Sequence, residues 1–466
     1  MNQNRTREQA MQLLNTGLRV PPIGAGKQAV VYVSAIDAVT PLTVAAARRL
    51  AFAKAEVELL TQFGFQVRCH GLFADYGDSV NNLVLSIWLR YLELCGEEVP
   101  HIEGCYQGDY IFDFAATVHR NFGNRLAVAA SEVTAVLTAG GDRFARMRSW
   151  LGDEALSTIK QIGLQGINRD IASDLQQIGL TVSHWQQTSA LAGTSALKAG
   201  IRQLESAGLV QTEAGVLYLN LPGTPKILLH TETSPTLFAL QLADFLVFAK
   251  DCKDSDLNIC IFDIDQGNEI KRFQQCAQRL GFPIVLLEKP ILSPQLFESG
   301  ELVHTSPLAE DFVSFREVRQ TVGWHDLLWQ FAVHRSDEAI RIDLSGGHAA
   351  GHTICDGLFQ SATNDAQIEL ADLTQILMAN KPQDLQAILK IIAEFPITVD
   401  RASRVLEPAF IVIYYRKLCE SILTYYNNHQ LEVSEAGQTA SSVVTAIITK
   451  IQGLTDITQQ LTGLNN

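Results

Sequence analysis

The stretch Val30-Val-Tyr-Val-Ser34, followed by Thr40-Pro-Leu-Thr-Val-Ala-Ala-Ala-Arg-Arg49, decides the fold. The first segment is β-branched and apolar, with the composition and length of a strand. From Val44 to Gly64 the chain is rich in Ala, Leu, Glu and Lys. Leu50, Val57 and Leu60 recur there at helical period, and Gly64 supplies a stop. Phe65 to Phe73 reads as the next strand. Strand, helix and parallel strand make the βαβ unit of a doubly wound sheet, whose ligands bind at the carboxyl ends of the strands.

Two later apolar runs extend that sheet. They are Asn258-Ile-Cys-Ile-Phe-Asp-Ile264 and, after a helix-like Glu269 to Leu280, Pro283-Ile-Val-Leu-Leu287. Residues from about 91 to 222 are mostly helical in pattern and read as an insertion that splits the sheet. Leu217-Tyr-Leu-Asn-Leu221 and Ile227-Leu-Leu-His230 read as paired strands leading back into it. From about Leu344 the pattern changes to long amphipathic helices. The expected organisation is an amino-terminal stub over 1–28, an α/β Rossmann-like parallel-sheet domain over 29–343, and an all-helical domain over 344–466. The stub carries one short helical pattern at Ala10, Leu13, Leu14 and Leu18. No internal repeat or low-complexity tract interrupts the chain.

The 466 residues are 47% hydrophobic and 18% charged, a balance that suits packed domains and excludes a disordered chain. No apolar run approaches the roughly 18 residues that span a bilayer, so no membrane role is expected. The start, Met1-Asn-Gln-Asn-Arg-Thr-Arg7, is polar and leads into no signal-like core, which predicts a cytoplasmic location. Eight cysteines lie scattered without C-x-x-C pairs and read as buried thiols. A formal charge of −14 argues against general affinity for nucleic acid, DNA included, and leaves RNA binding only to a local basic face.

In these blocks the chain resembles the class I arginyl-tRNA synthetases. Val31 to Ala35 and Thr40 to Arg49 are similar to that family's first strand, loop and helix, which read roughly V-x-V-S-A-N-P-x-x-P-L-H-V-G-H-x-R. Ala74-Asp-Tyr-Gly77, the run Asn82 to Tyr91, Gly96-Glu-Glu-Val-Pro100 and Tyr106-Gln-Gly-Asp-Tyr-Ile111 follow in register. Leu389 to Tyr426 resembles the family's DALR-type anticodon-binding helices, and Val443 to Leu464 its last helix. The resemblance implies a class I synthetase body, ATP-dependent joining of arginine to tRNA, ATP as cosubstrate and tRNA as partner. The family's separate amino-terminal domain, which touches the tRNA elbow, is represented by the stub alone.

At the positions that carry the family's chemistry the residues differ. Thr43, Val44, Ala45 and Ala46 stand where the family has the H-I-G-H-type motif whose imidazoles hold ATP phosphates. The mobile lysine loop corresponds to Gly300-Glu-Leu-Val-His-Thr-Ser-Pro-Leu-Ala309, without lysine or arginine, with Ser306 marking the old register. In the ancestral amino-acid pocket Ser34 is kept, but the following asparagine is Ile36. Asp75 and Gly77 match the family. Asp75 is read two ways, as a carboxylate able to pair a guanidinium or as a turn residue capping the next helix. Phe238 and Gln241 lie where the family presents a tyrosine and an aspartate. No catalytic residue, no metal ligand and no retained cofactor follow from this set; ATP is implied by the resemblance alone.

The carboxyl-terminal helices offer Arg401, Arg404, Arg416, Lys417 and Tyr414, among other tyrosines, as candidates to clamp and stack unpaired bases of tRNA. The same tyrosines at helical spacing also suit a core. Ser345-Gly-Gly-His-Ala-Ala-Gly-His352 places two histidines at i, i+4, but its glycines oppose a helix, and it reads as a junction rather than a metal site. Two functional classes emerge. One is a catalytically defective paralogue that binds tRNA, a small ligand or a protein partner; the other is a divergent arginine-tRNA ligase or another ATP-dependent ligase.

Overall fold

The computed structural model describes residues 3–99, 102–138, 142–282, 284–309, 312–345, 383–429 and 440–463. Helix α1 (Gln3–Thr16) precedes β1 (Gln28–Asp37), α2 (Val44–Gln62) and β2 (Gln66–Ala74). The insertion follows as α3 (Asp78–Leu94), α4 (Asp109–Phe122), α5 (Ala130–Thr138) and α6 (Arg143–Ile178), the last broken at Gly152. Then come β3 (His184–Gln187), α7 (Thr188–Leu191), α8 (Ser195–Ser206) and a small antiparallel sheet of β4 (Val210–Glu213), β5 (Val216–Leu219) and β6 (Ile227–His230). Helix α9 (Leu237–Asp251), β7 (Leu257–Asp263), α10 (Gly267–Arg279) and β8 (Leu287–Ile291) complete the main sheet.

That sheet is parallel, in the order β3-β2-β1-β7-β8. The order reverses between β1 and β7, which makes the space outside their carboxyl ends the topological switch point. Strand β1 is buried on both faces, as its unbroken apolar run requires. Val31 and Val33 join the core under α2, while Val30 and Tyr32 meet the aromatic side chains of α9 and α10. Tyr32 lies 5.4 Å from Phe245 and 5.0 Å from Phe248, centroid to centroid.

A second small sheet combines β9 (Gln295–Glu298), β10 (Glu301–Val303) and β11 (Arg341–Asp343), with α11 (Phe315–Val322) and α12 (Trp324–Val333) between the last two. The bundle is α13 (Gln383–Ala393), α14 (Phe395–Val405), α15 (Ala409–His429) and α16 (Ala440–Thr462).

Two expectations shift and one is extended. The apolar run after α10 is not the strand: residues 284–286 stay outside the sheet, Val285 is 85% exposed, and β8 begins at Leu287. Pro290 is tolerated there because β8 is an edge strand, with one side needing no amide. The mostly helical insertion also supplies a strand to the main sheet, His184-Trp-Gln-Gln187 as edge strand β3; four half-polar residues carry no alternation to signal it. The stub is not separate. Ala10, Met11, Leu14 and Leu18 of the amino-terminal segment are buried in the same core as Leu385, Ile388 and Ile392 of the bundle.

Helix α2 links sheet and bundle and carries charge into the interior. Arg48 donates to the carbonyls of Arg335 (2.8 Å), Glu338 (2.7 Å) and Leu292. Lys289 of β8 donates to the Val405 carbonyl at 2.6 Å and lies 3.4 Å from Glu407, which accepts from the Ser336 amide at 2.8 Å. Glu56 is completely buried, and neither carboxyl oxygen has a hydrogen-bond partner among the described residues. Burial pushes it up to about 8, against the pull of Lys289. It is therefore uncharged at neutral pH, because an unpaired buried carboxylate is too costly.

A raised folded-state value means that the fold holds this proton more tightly than the unfolded chain does. The stability tied to Glu56 is complete below about pH 4.5 and is lost as pH rises through about 8. Glu56→Gln, measured by urea unfolding, is expected to match the wild type near pH 5. At pH 8.5 it should be more stable by about 3 kcal/mol.

Candidate functional site

The switch point is built from the ends of β1 and β7 and the start of α2. Between Val33 and Ile36 the pairing of β1 with β2 slips, so that Ser34 and Ala35 stand opposite Leu72 alone. Such a bulge re-aims backbone groups at the rim of a sheet. Ser34 Oγ donates to Gln266 Oε1 at 2.7 Å. Ile36, by contrast, is buried in the core under α2 with Val44 and Ala47, not in the crevice.

Thr43 is the N-cap of α2, and its hydroxyl accepts from the Ala46 amide at 3.2 Å. The helix start thus uses its own threonine to satisfy an amide that an anion could otherwise bind. Val44 and Ala46 are buried and Ala45 is half-buried, so this turn presents no cation. Asp37, at the exposed end of β1, accepts from the Val39 amide at 3.0 Å. Tyr106 is buried and Tyr110 half-buried, and desolvation, with Asp37 near both, raises their hydroxyls above the ordinary value.

The centre of the crevice is occupied by Arg49, which is 2% exposed. Its guanidinium pairs with Asp263 at the end of β7, donates to the Ala35 carbonyl at 3.0 Å, and reaches Gln266 Oε1 at 3.5 Å. Asp263 also caps the turn after β7 in a capping box with Gln266. Burial raises Asp263 above the usual carboxylate range, although Arg49 opposes the shift. These three residues were not singled out from the sequence. The available signal was an Arg-Arg pair on an otherwise apolar helix and an aspartate closing a buried strand.

Asp75 does not cap the next helix, α3, which follows its N-cap Gly77 without a side-chain cap; its carboxylate instead binds the start of α7. Its Oδ1 accepts from Thr188 Oγ1 (3.0 Å) and the Ser189 amide (2.8 Å), and Oδ2 from Ser189 Oγ (2.5 Å). These residues begin α7, more than a hundred positions away. Gly77, with φ of 89°, is the N-cap of α3. Phe238 packs on Phe273 at 5.1 Å, and Gln241 is half-buried on the same helix, α9. Deeper along α9, Asp244 is pushed up to about 7 by burial, with the Tyr32 hydroxyl as its partner. Ser306 is exposed in a turn, where its hydroxyl accepts from the Leu308 amide at 3.3 Å.

In the bundle, Arg401 stacks on Phe410 at 4.1 Å. Arg404 pairs with Asp400 (3.0 Å), Arg416 with Glu420 (3.5 Å) and Lys417 with Glu394 (3.0 Å). Tyr414 is inside, 5.6 Å from Phe395, and does not present its ring to a base. His348 and His352 lie outside the described residues. Among the described residues no group of three metal-ligating side chains converges, and no helix is long and apolar enough to cross a membrane.

The parallel sheet with its helical insertion and following bundle defines a class I synthetase-type α/β body. No family model matches the chain. It is 28% identical over 445 residues to the arginine–tRNA ligase of Thioalkalivibrio sulfidiphilus, covering 89% of this chain and 75% of that protein. The arginine–tRNA ligase of Legionella pneumophila is 26% identical over 459 residues, covering 90% and 76%. A solved Campylobacter jejuni structure carrying an arginyl-tRNA synthetase assignment superposes with a TM-score of 0.71 at 17% identity, covering 99% and 98%. The Thermus thermophilus arginyl-tRNA synthetase gives 0.63 at 13%, covering 97% and 85%. Over most of its length the chain is similar to arginyl-tRNA synthetases in sequence and in fold.

Asp75→Ala removes an acceptor for three donors and leaves the buried Thr188 hydroxyl and the α7 amide at Ser189 without it. Stability in urea unfolding is expected to fall by about 2–3 kcal/mol. An unchanged stability would assign Asp75 to ligand binding rather than to holding α7.

Proposed function

We propose that this chain is a member of the family that no longer activates arginine with ATP and that acts as a weak tRNA-binding module. The observation that carries this reading is the start of α2: Thr43 turns its hydroxyl back onto the Ala46 amide, and the turn offers no imidazole. Each preorganised donor lost from a developing charge costs about 3–4 kcal/mol of barrier, or a hundredfold to a thousandfold in rate. The loop from 300 to 309 adds no lysine or arginine to replace them. What ATP would meet at α2 is the helix dipole and backbone amides alone.

The carboxyl-terminal cations suit a weak contact. Arg404, Arg416 and Lys417 are held by ion pairs at or near the surface, worth about 0–1 kcal/mol each, so phosphates compete with them readily. A divergent arginine–tRNA ligase is the second reading. It is favoured by identity spread over three-quarters of a ligase's length.

Pyrophosphate exchange into ATP, with arginine and uncharged tRNA supplied, separates the two. No exchange above a no-enzyme control is expected, and clear exchange would establish the ligase. Thr43→His, Ala45→Gly and Ala46→His together are expected not to restore charging, because Ile36 and the cation-poor loop remain and residues acting as a unit are not additive.

Gel-shift titration tests the tRNA contact. Binding should be salt-sensitive, and replacing Arg401, Arg404, Arg416 and Lys417 by alanine should weaken it. The replacement should also reduce the salt slope by roughly three to four. Binding unchanged by those replacements would place the contact elsewhere.

A further inference from the structure

We infer that the switch-point crevice is a guanidinium-binding site already filled in cis, with Arg49 as its intramolecular ligand. Three acceptors converge there from different parts of the chain. The Ala35 carbonyl is turned out by the β1 bulge, the Asp263 carboxylate ends β7, and Gln266 Oε1 is held in place by Ser34 and by the Asp263 amide. A planar fork of donors matches such an arrangement, whereas a point charge does not. The place is the one where doubly wound sheets take their ligands.

The fit from α2 is incomplete. Arg49 Nε and Asp263 Oδ1 are both buried without a hydrogen-bond partner among the described residues. Held on α2, Arg49 leaves these two atoms unjoined. An untethered alkylguanidinium is free to turn and can give an N–H to the second carboxylate oxygen. Arg49 therefore closes the crevice to external guanidinium compounds, and shortening it opens a site for them. This goes beyond the loss of ATP chemistry and does not depend on it, since it concerns binding to the body alone.

The test is calorimetric titration of methylguanidinium chloride into Arg49→Ala at constant ionic strength. Saturable one-site binding is expected in Arg49→Ala, and none in the wild type or in Arg49→Ala/Asp263→Asn. Methylammonium should bind at least about tenfold more weakly, lacking the fork. The inference is overturned by folded Arg49→Ala that binds no methylguanidinium, by equal binding of the two cations, or by equal binding to the wild type. If Arg49→Ala is recovered unfolded, it is refolded with either cation and followed by circular dichroism. Recovery with methylguanidinium but not methylammonium supports the site; recovery with neither overturns it.

Discussion

Helix α2 is the constraint on which the rest depends. It lies under the sheet through Val44, Ala47, Leu50 and Ala53, and its far end, with the Phe63 that follows, enters the core of the bundle through Leu59. A helix enclosed on most sides has little solvent face on which to leave its charges. Arg48, Arg49, Lys54 and Glu56 are accordingly all buried, and each demands a partner or a changed protonation state. Arg48 is answered by three carbonyls and Arg49 by the switch-point acceptors. Lys54 is lowered to about 8 by burial, and Glu56 keeps its proton.

The same helix joins body and bundle. Arg48 holds the turn at Arg335 to Glu338 from one side, and Glu407, from the bundle, holds Ser336 from the other. Lys289 ties that junction back to the edge strand of the sheet. The short amino-terminal helix closes the arrangement by packing on the bundle rather than standing apart. Sheet, junction and bundle are thus one continuous set of buried contacts, and a change in α2 is felt at the crevice and at the junction alike.

At the crevice, strand order and backbone irregularity meet. The bulged end of β1 and the reversal of strand order are present. The groups placed there serve the chain itself: Thr43 caps its own helix, Asp75 holds α7, and Arg49 occupies the centre. In the bundle, helical spacing turns Tyr414 and Tyr415 inward and leaves cations at the surface in local pairs.

The sequence by itself determined the βαβ start, the central buried strands and the helical carboxyl-terminal region. Continuous β-branched runs and 3.6-residue periodicity are local signals that survive in any packing. It also determined which residues stand at the family's motif positions. Only the tertiary structure decided where those residues point. Asp75 meets Thr188 and Ser189 across more than a hundred residues, Arg49 meets Asp263 across more than two hundred, and Lys289 meets Glu407 across the domain junction. No local pattern encodes such pairings, because they are set by strand order, by the bulge in β1 and by which side of α2 each neighbour covers. The edge strands β3 and β8 escaped for a related reason: their pairing comes from a neighbour already in place, so their own residues need not alternate.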